Sequence, residues 1–194
     1  MIENKEYIEA EDKNLIKFII SVLEGRENYK KFETISVHIS ERLAKAIENI
    51  VGFSVFDYGN EIDSGQIQHI WKEHGRNGKT DKSMADVRNL ARIAYVVDNF
   101  DNIRPGKNRS KYKNSDGTLA KTVEIQKKIG EDFYYVVEAI PDTRLRKLRV
   151  VSAYINKNDT FSEVAVLNNS PSRYVQNEPQ PNASSSNIII PNDD

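Results

Sequence analysis

The chain has 194 residues, of which 38% are hydrophobic and 29% charged, as is typical of a globular protein with one main core. It contains no cysteine, which excludes disulfides, thiolate chemistry and the usual ligands of structural zinc, and its formal net charge of −1 argues against a general nucleic-acid coat. Because no cationic leader opens the sequence and no apolar run approaches the ~20 residues of a membrane span, we expect an intracellular protein with no membrane partner.

The first third of the chain alternates helical and strand-like patterns. Apolar residues repeat at helical spacing from Ile8 to Leu23. Period-two alternation in FETISVHIS, residues 32–40, predicts a strand whose His38 faces solvent. Ser40 is then a suitable N-cap for a second amphipathic helix, ERLAKAIENIVG. The segment FSVFDYGNEID reads as a short link to the next helix.

The segment SGQIQHIWKEHG, from Ser64 to Gly75, places two of the three histidines and the single tryptophan on one short predicted helix. Asp63 begins it with a capping-box pattern. One apolar stripe contains Ile67, Ile70, Trp71 and His74. His74 therefore points to the core side, whereas His69 and Glu73 lie four residues apart on the flank of the stripe and can contact each other.

A further helical pattern from Ser83 to Asn99 leads into a basic loop. Between Ile103 and Lys113 there are five cations and no acid, a local charge of +5. These cations are Arg104, Lys107, Arg109, Lys111 and Lys113. Such a loop can bind the phosphate backbone of RNA, or it can simply be solvated.

Three apolar runs follow the basic loop: KTVEIQKKI, FYYVVEAI and KLRVVSAYI. Gly-Glu-Asp joins the first two and Pro-Asp opens the turn into the third, which predicts an antiparallel β-meander. We therefore predict an α+β fold, with N-terminal helices packed on the meander. Residues 1–30 are expected to be a helical extension, residues 31–158 the main domain and residues 159–194 a flexible polar tail.

Metal and cofactor chemistry has little support in these patterns. His69 and His74 are five residues apart, which separates their side chains by about 140° around a helix, and no cysteine or dense carboxylate cluster accompanies them. No Gly-rich phosphate loop and no G-x-S-x-G elbow occurs. We therefore expect no metal and no cofactor.

Metal-independent acid–base chemistry fits the histidine helix better. Cleaving RNA through its 2′-hydroxyl needs a base for that proton, an acid for the leaving 5′-oxygen and cations for the phosphorane charge. His69, Glu73 and His74 are candidates for the proton-transfer roles. The alternative is structural, because the C-terminal end of a helix often carries a histidine.

The meander supplies candidates for the remaining roles. Lys127 has the parity of the apolar residues in the first run, so it either snorkels at the strand end or points into a cleft. In the third run, Val150, Ser152 and Tyr154 have the spacing of one face, where we expect Ser152 and Tyr154 to converge with Lys127. An inward serine can instead bond to backbone, and a tyrosine can cap a core.

Three blocks together carry a resemblance to a known family: IVGFSVFDYGNEIDSGQIQHIWKEHG, MADVRNLARIAYVVDNFDNI and KKIGEDFYYVVEAIPDTRLRKLRVVSAYINK. In combination they resemble the C-terminal module of phage MuF-type head proteins and of mobile-element polyvalent proteins. That module is grouped with the phage barnase/EndoU/colicin/RelE-like (BECR) nucleases. The resemblance extends from Phe32 to Lys157.

The resemblance implies a BECR fold, the barnase/RelE-like arrangement of helices on an antiparallel sheet, and metal-independent RNA cleavage. Matched position by position, it implies site roles for His69, His74, Lys127, Ser152 and Tyr154. Related nucleases often have threonine at the position of Ser152, so this chain departs from the family pattern there.

These expectations combine into one functional hypothesis and one alternative. The hypothesis is a toxin-like endoribonuclease of phage or mobile-element origin that leaves a 2′,3′-cyclic phosphate. The alternative is a non-catalytic binding or packaging-associated module on the same fold. Expected partners are RNA, with tRNA as one candidate, and an immunity protein or a phage structural protein. The expected location is the host cytoplasm or the virion.

Overall fold

A computed structural model describes residues 5–25, 34–37, 39–107 and 111–161. In these ranges the chain forms six helices and six strands. The helices are α1 (Lys5–Glu9), α2 (Lys13–Leu23), α3 (Glu41–Val51), α4 (Ser64–His74), α5 (Val87–Ala91) and α6 (Ile93–Asp98). The strands are β1 (Thr34–Val37), β2 (Gly59–Asp63), β3 (Asn102–Pro105), β4 (Lys121–Ile129), β5 (Asp132–Ile140) and β6 (Lys147–Asn156).

The six strands form one sheet in the order β1-β2-β6-β5-β4-β3. The β4–β5–β6 meander forms its centre, and all neighbouring strands are antiparallel except β2 and β6, which are parallel. The β4–β5 hairpin turns at Gly130, whose φ of 59° is in the left-handed region that glycine adopts without strain. The sheet thus places β6, the last strand in the described ranges, between β2 and β5.

One face of the sheet packs against the helices and forms the main core. Alternating residues of the central strands project to this helix-side face because neighbouring residues of a strand point to opposite sides. The core side chains from the sheet include Ile125, Val136, Val150 and Ala153. Helix α2 contributes Leu15 and Ile19 to the same core, so the predicted N-terminal extension packs directly on the domain.

A β-bulge divides β6 into two registers. Val137 pairs with Ser152 while the next residue, Glu138, pairs with Val150, so Val151 is the extra residue. The bulge sends Val150 into the helix-side core, whereas Ser152 and Tyr154 project to the opposite face, which we call the polar face. The sequence expectation that Val150 shares a face with Ser152 is therefore wrong.

The predicted α+β fold is confirmed, with differences in detail. The parallel β2–β6 pair and strand β3 were not predicted: β2 lies in the expected link, and β3 lies in the expected basic loop. The helix predicted from Ser83 to Asn99 is two short helices, because the Arg92 N–H bonds to the carbonyls of Asn89 and Leu90 and tightens the turn there. None of the helices in the described ranges has the length and apolar character needed to cross a membrane.

Candidate active site

Helix α4 lies beside the part of β6 that β2 does not cover. The β2–β6 pairing ends at Glu61 and Arg149, and α4 begins directly after β2. Asp63 and Gln66 form the predicted capping box, which fixes the start of α4. Farther along, the Ile155 N–H of β6 donates to Ser83 Oγ at 3.1 Å instead of to a strand. This packing brings the C-terminal end of α4 to Ser152.

His74 contacts an acid on one side and a hydroxyl on the other. Its Nδ1 is 2.9 Å from Asp81 Oδ2, and its Nε2 is 3.3 Å from Ser152 Oγ. Burial raises the pKa of Asp81, but hydrogen bonds from Ser83 and His74 outweigh it and hold the pKa below its usual value. Because ionised Asp81 can only accept, Nδ1 must donate, so in the neutral form of the ring the lone pair is on Nε2, which faces Ser152.

Tyr154 links His74 to a buried ion pair. The two rings lie 5.9 Å apart, and the Tyr154 hydroxyl donates to Glu124 Oε1. Arg104 Nε donates to Glu124 Oε2 at 2.7 Å. Burial, followed by the bond to Glu124, raises the pKa of Tyr154 well above its usual value. Tyr154 therefore stays protonated at neutral pH, and it is a donor rather than a base.

Residues 158–161, which we call the C-terminal strap, cover one end of this polar face. Arg104 Nη1 donates to the Thr160 carbonyl at 3.0 Å, and its guanidinium lies 4.0 Å from the centre of the Phe161 ring. Gln126 donates to Asp159 at 2.6 Å. Tyr135 stacks on Tyr154, with 5.0 Å between centroids. Thus the first residues assigned to the flexible tail pack on the sheet, while residues 162–194 of that predicted tail lie outside the described residues.

The structure separates the other two candidates on α4 from His74. His69 is exposed, as the 140° between positions five residues apart requires. Glu73 is half-buried, and its Oε2 accepts from Thr80 Oγ1 at 3.2 Å. Of the helix residues predicted to transfer protons, only His74 therefore meets the residues of β6.

Lys127 does not converge with Ser152 and Tyr154. It follows Gln126, which belongs to the polar face, and it lies opposite Tyr134, which is buried on the helix side. Its Nζ instead binds Asp101 Oδ1 at 2.7 Å. The parity assigned to Lys127 was right, but Ser152 and Tyr154 are on the other face of the sheet.

If the protein cleaves RNA, we expect the cleavage rate of Lys127→Ala to stay within about twofold of the wild-type rate. The reason is that the ammonium group of Lys127 lies on the face of the sheet away from His74. The variant loses the contact with Asp101, which at a partly exposed site contributes up to about 1 kcal/mol to stability. Cleavage rates and thermal unfolding of the two proteins check this. A loss of cleavage without a loss of stability would contradict the assignment of Lys127 to a structural role.

The cations of the predicted basic loop differ in whether they lie near the site. Arg104 lies in β3 and contacts Glu124, so it belongs to the polar face. Lys107, Lys111 and Lys113 are exposed. Arg109 lies outside the described residues. Of the five predicted RNA-binding cations, Arg104 is thus the one that the structure connects to His74, through Glu124 and Tyr154.

Three residues of the polar face were missed by sequence reasoning: Asp81, Glu124 and Arg149. Arg149 projects to this face because its neighbours in β6, Leu148 and Val150, are buried in the helix-side core. Its guanidinium is 4.0 Å from Asp63. The alternation in KTVEIQKKI places Glu124 on the face opposite Val123 and Ile125, but it does not indicate that Glu124 is buried. Asp81 had no periodic signal, because it lies in a loop.

A comparison with known families identifies the fold. The profile of the phage-Barnase-EndoU-ColicinE5/D-RelE like nuclease3 family matches residues 37–162, well over half of the chain. The chain belongs to this family. The matched range includes α4 and β6, and therefore His74, Ser152 and Tyr154. No curated protein and no solved structure matches the chain.

Two observations describe the chemical character of the polar face. Within the described ranges, no cluster of three or more His, Asp or Glu side chains is arranged to hold a metal ion. His74 has Asp81 on one side, the Ser152 hydroxyl on the other and the Tyr154 ring 5.9 Å away, an arrangement compatible with proton transfer.

Proposed function

We propose that this phage BECR-like nuclease is a metal-independent endoribonuclease with His74 as its general base. The observation that carries this proposal is the position of His74, whose Nδ1 is held by Asp81 and whose Nε2 faces Ser152. An imidazole oriented by a carboxylate in this way has one defined tautomer and can accept a proton from a bound hydroxyl. The substrate hydroxyl that suits this base is the RNA 2′-OH.

The proposed reaction uses the remaining residues of the polar face in separate roles. His74 Nε2 takes the 2′-OH proton, and the 2′-oxygen forms a bond to phosphorus as the bond to the 5′-oxygen breaks. The leaving 5′-oxygen takes the proton of Tyr154, which His74 then restores. Arg104 and Arg149 are the cations for the phosphorane charge, and Ser152 orients His74 through its hydrogen bond. The products are a 2′,3′-cyclic phosphate and a 5′-hydroxyl.

The proposal extends to the biological setting. We infer a toxin-like role for the chain, as a MuF-type module of a phage or mobile element acting on RNA, including tRNA, in the host cytoplasm. An immunity protein or a phage structural protein would be its protein partner. Membership of the phage nuclease family supports this setting.

The test is cleavage of RNA by the purified protein in the presence of EDTA. We expect fragments that carry 2′,3′-cyclic phosphate and 5′-hydroxyl ends. A matched substrate with 2′-O-methyl groups throughout should remain intact, because it has no 2′-OH for His74 to deprotonate. Absence of RNA cleavage, or cleavage of both substrates alike, would exclude this mechanism.

A second candidate function is supported by the burial of the site. The His74 side chain is only 11% exposed, and the C-terminal strap packs on Arg104 and Tyr135. A non-catalytic binding module on the same fold would keep His74 as a structural residue. This candidate predicts that the protein binds RNA or a protein partner, and that RNA stays uncut while bound.

A further inference from the structure

Two adjacent clefts extend the polar face toward the turn between β5 and β6. The smaller, about 170 Å³, is lined by Tyr112, Lys113, Leu145, Lys147 and Arg149, among others. The larger, about 480 Å³, lies between the segment after α3 and the β5–β6 turn. Thr143 lines both clefts, so they share a wall. Arg149 connects the smaller cleft to the face that carries Ser152.

The larger cleft is lined by aromatic rings, by two arginines and by two carboxylates, Asp57 and Asp142. Phe53, Phe56 and Tyr58 line one side, and Phe56 is 55% exposed although it is a large apolar residue. Arg144 lines the other side and has no carboxylate partner among the described residues. A nearby second cation, Arg146, is already paired with Asp57. Exposed aromatic rings beside a free cation suit a base stacked on a ring, with its phosphate at the arginine.

The distance between the clefts and His74 fits a short nucleic-acid strand. From Arg146, which directly precedes β6, to Ser152 the chain advances six residues, of which Val151 is the extra residue of the bulge, so the span is about 17 Å at the rise of a β-strand. That span corresponds to about five stacked nucleotides at 3.4 Å each, and to about three if the strand is extended. Lys113 lies along this path as a cation for an intervening phosphate, and Arg149 lies at its end near Ser152. Lys113, like Arg144, has no ion-pair partner among the described residues.

We propose that the Phe56–Arg144 cleft is a nucleobase subsite, which binds an unpaired base about three to five nucleotides from the phosphate at His74. This inference rests on the proposed ribonuclease function for the site at His74, and it adds a substrate class: single-stranded RNA longer than a trinucleotide. The strand would lie along β6 on the polar face, with its bases free to stack because they are unpaired.

The test measures binding by the full-length protein to fluorescein-labelled, all-2′-O-methyl RNA of ten and of three nucleotides. Because neither oligonucleotide can be cleaved through a 2′-OH, anisotropy reports binding alone. We expect Phe56→Ala and Arg144→Ala each to weaken binding of the ten-nucleotide RNA about tenfold and to leave the three-nucleotide RNA unaffected. Ile8→Ala is the matched control, because Ile8 is a similarly exposed apolar residue, 50%, on α1.

The outcomes separate the subsite from the catalytic proposal. If the wild type cleaves RNA but both cleft variants bind the ten-nucleotide RNA as tightly as it does, the subsite is refuted and the ribonuclease proposal stands. If binding depends on Phe56 and Arg144 but unmodified RNA stays intact, the subsite stands and the catalytic role of His74 is refuted. If the wild type binds neither oligonucleotide, the subsite is refuted, and cleavage of unmodified RNA alone decides the ribonuclease proposal.

Discussion

His74→Ala is expected to lower the rate of RNA cleavage about 10²- to 10⁴-fold, the usual contribution of a positioned general base. Asp81→Asn should cause a comparable loss by a different route. An asparagine amide can donate to Nδ1, which would place the imidazole proton on Nε2 and remove the lone pair that faces Ser152. Cleavage rates for both variants, with circular dichroism to confirm folding, measure the effect.

The chain provides a matched control for these variants on the same helix. His69 is exposed and lies about 140° around α4 from His74, so His69→Ala removes an imidazole without touching the polar face. We expect it to cleave RNA at the wild-type rate. Equal activity in His74→Ala and wild type, or an equal loss in His69→Ala, would refute the assignment of His74 as the base.

The second large effect concerns stability and arises from a buried carboxyl on the helix-side face. Glu138 is fully buried, and its Oε1 accepts from Asn60 Nδ2 at 2.7 Å. Glu138 Oε2 and Asn60 Oδ1 have no hydrogen-bond partner among the described residues. Burial raises the pKa of Glu138 from 4.5 to about 7, although the bond from Asn60 opposes the shift. Protonation makes Glu138 Oε2 a hydrogen-bond donor. Asn60 Oδ1 is an acceptor that has no donor among the described residues.

The direction of the pH dependence follows from this raised pKa. Below pH 4.5 the carboxyl is protonated in both the folded and the unfolded chain. Between pH 4.5 and about 7 the unfolded chain releases the proton and the folded chain keeps it, so stability falls as pH rises. The free energy of unfolding decreases by about 3 kcal/mol in total. The decrease ends once Glu138 is also ionised in the folded protein.

Glu138→Gln should remove this loss, because an amide has the donor and acceptor of the protonated acid permanently. At pH 8 we expect the variant to unfold roughly 6 to 12 °C above the wild type. At pH 4 the two proteins should unfold at similar temperatures. Glu61→Gln is the control, because Glu61 is only partly buried and binds Lys147 at 2.7 Å. A gain that is the same at pH 4 and pH 8 would contradict protonation of Glu138 as its cause.

Local sequence patterns predicted the frame of the site. The capping box follows from the residue types at Asp63 and Gln66. The inward position of His74 and the strand parity of Lys127 follow from periods of 3.6 and 2.0 residues. All three features occur in the structure. These features depend on residues that are close together in the chain. The side chains that each strand presents to one face were therefore predictable up to the point where the register changes.

The arrangement of side chains around His74 depends on tertiary contacts that the periodicity of the sequence does not indicate. The bulge at Val151 places Val150 on the helix side and Ser152 on the polar face. The two residues therefore lie on opposite faces, although residues two positions apart in a regular strand share one face. Glu124 is buried in an alternating strand because Tyr154 and Arg104 cover it. Both effects come from tertiary packing between distant segments, and a single sequence carries no local sign of them.

The position of β6 in the sheet also determines when the site can form during synthesis. His74 is made early, but its partner Ser152 is 78 residues farther along the chain. β6 must then insert between β2 and β5, so the parallel contact with β2 forms only after nearly the whole domain has left the ribosome. Pairing of such distant segments makes folding slow. Until β6 has been made, His74 therefore has no Ser152 hydroxyl beside it, and the face proposed for catalysis forms only once this strand has inserted.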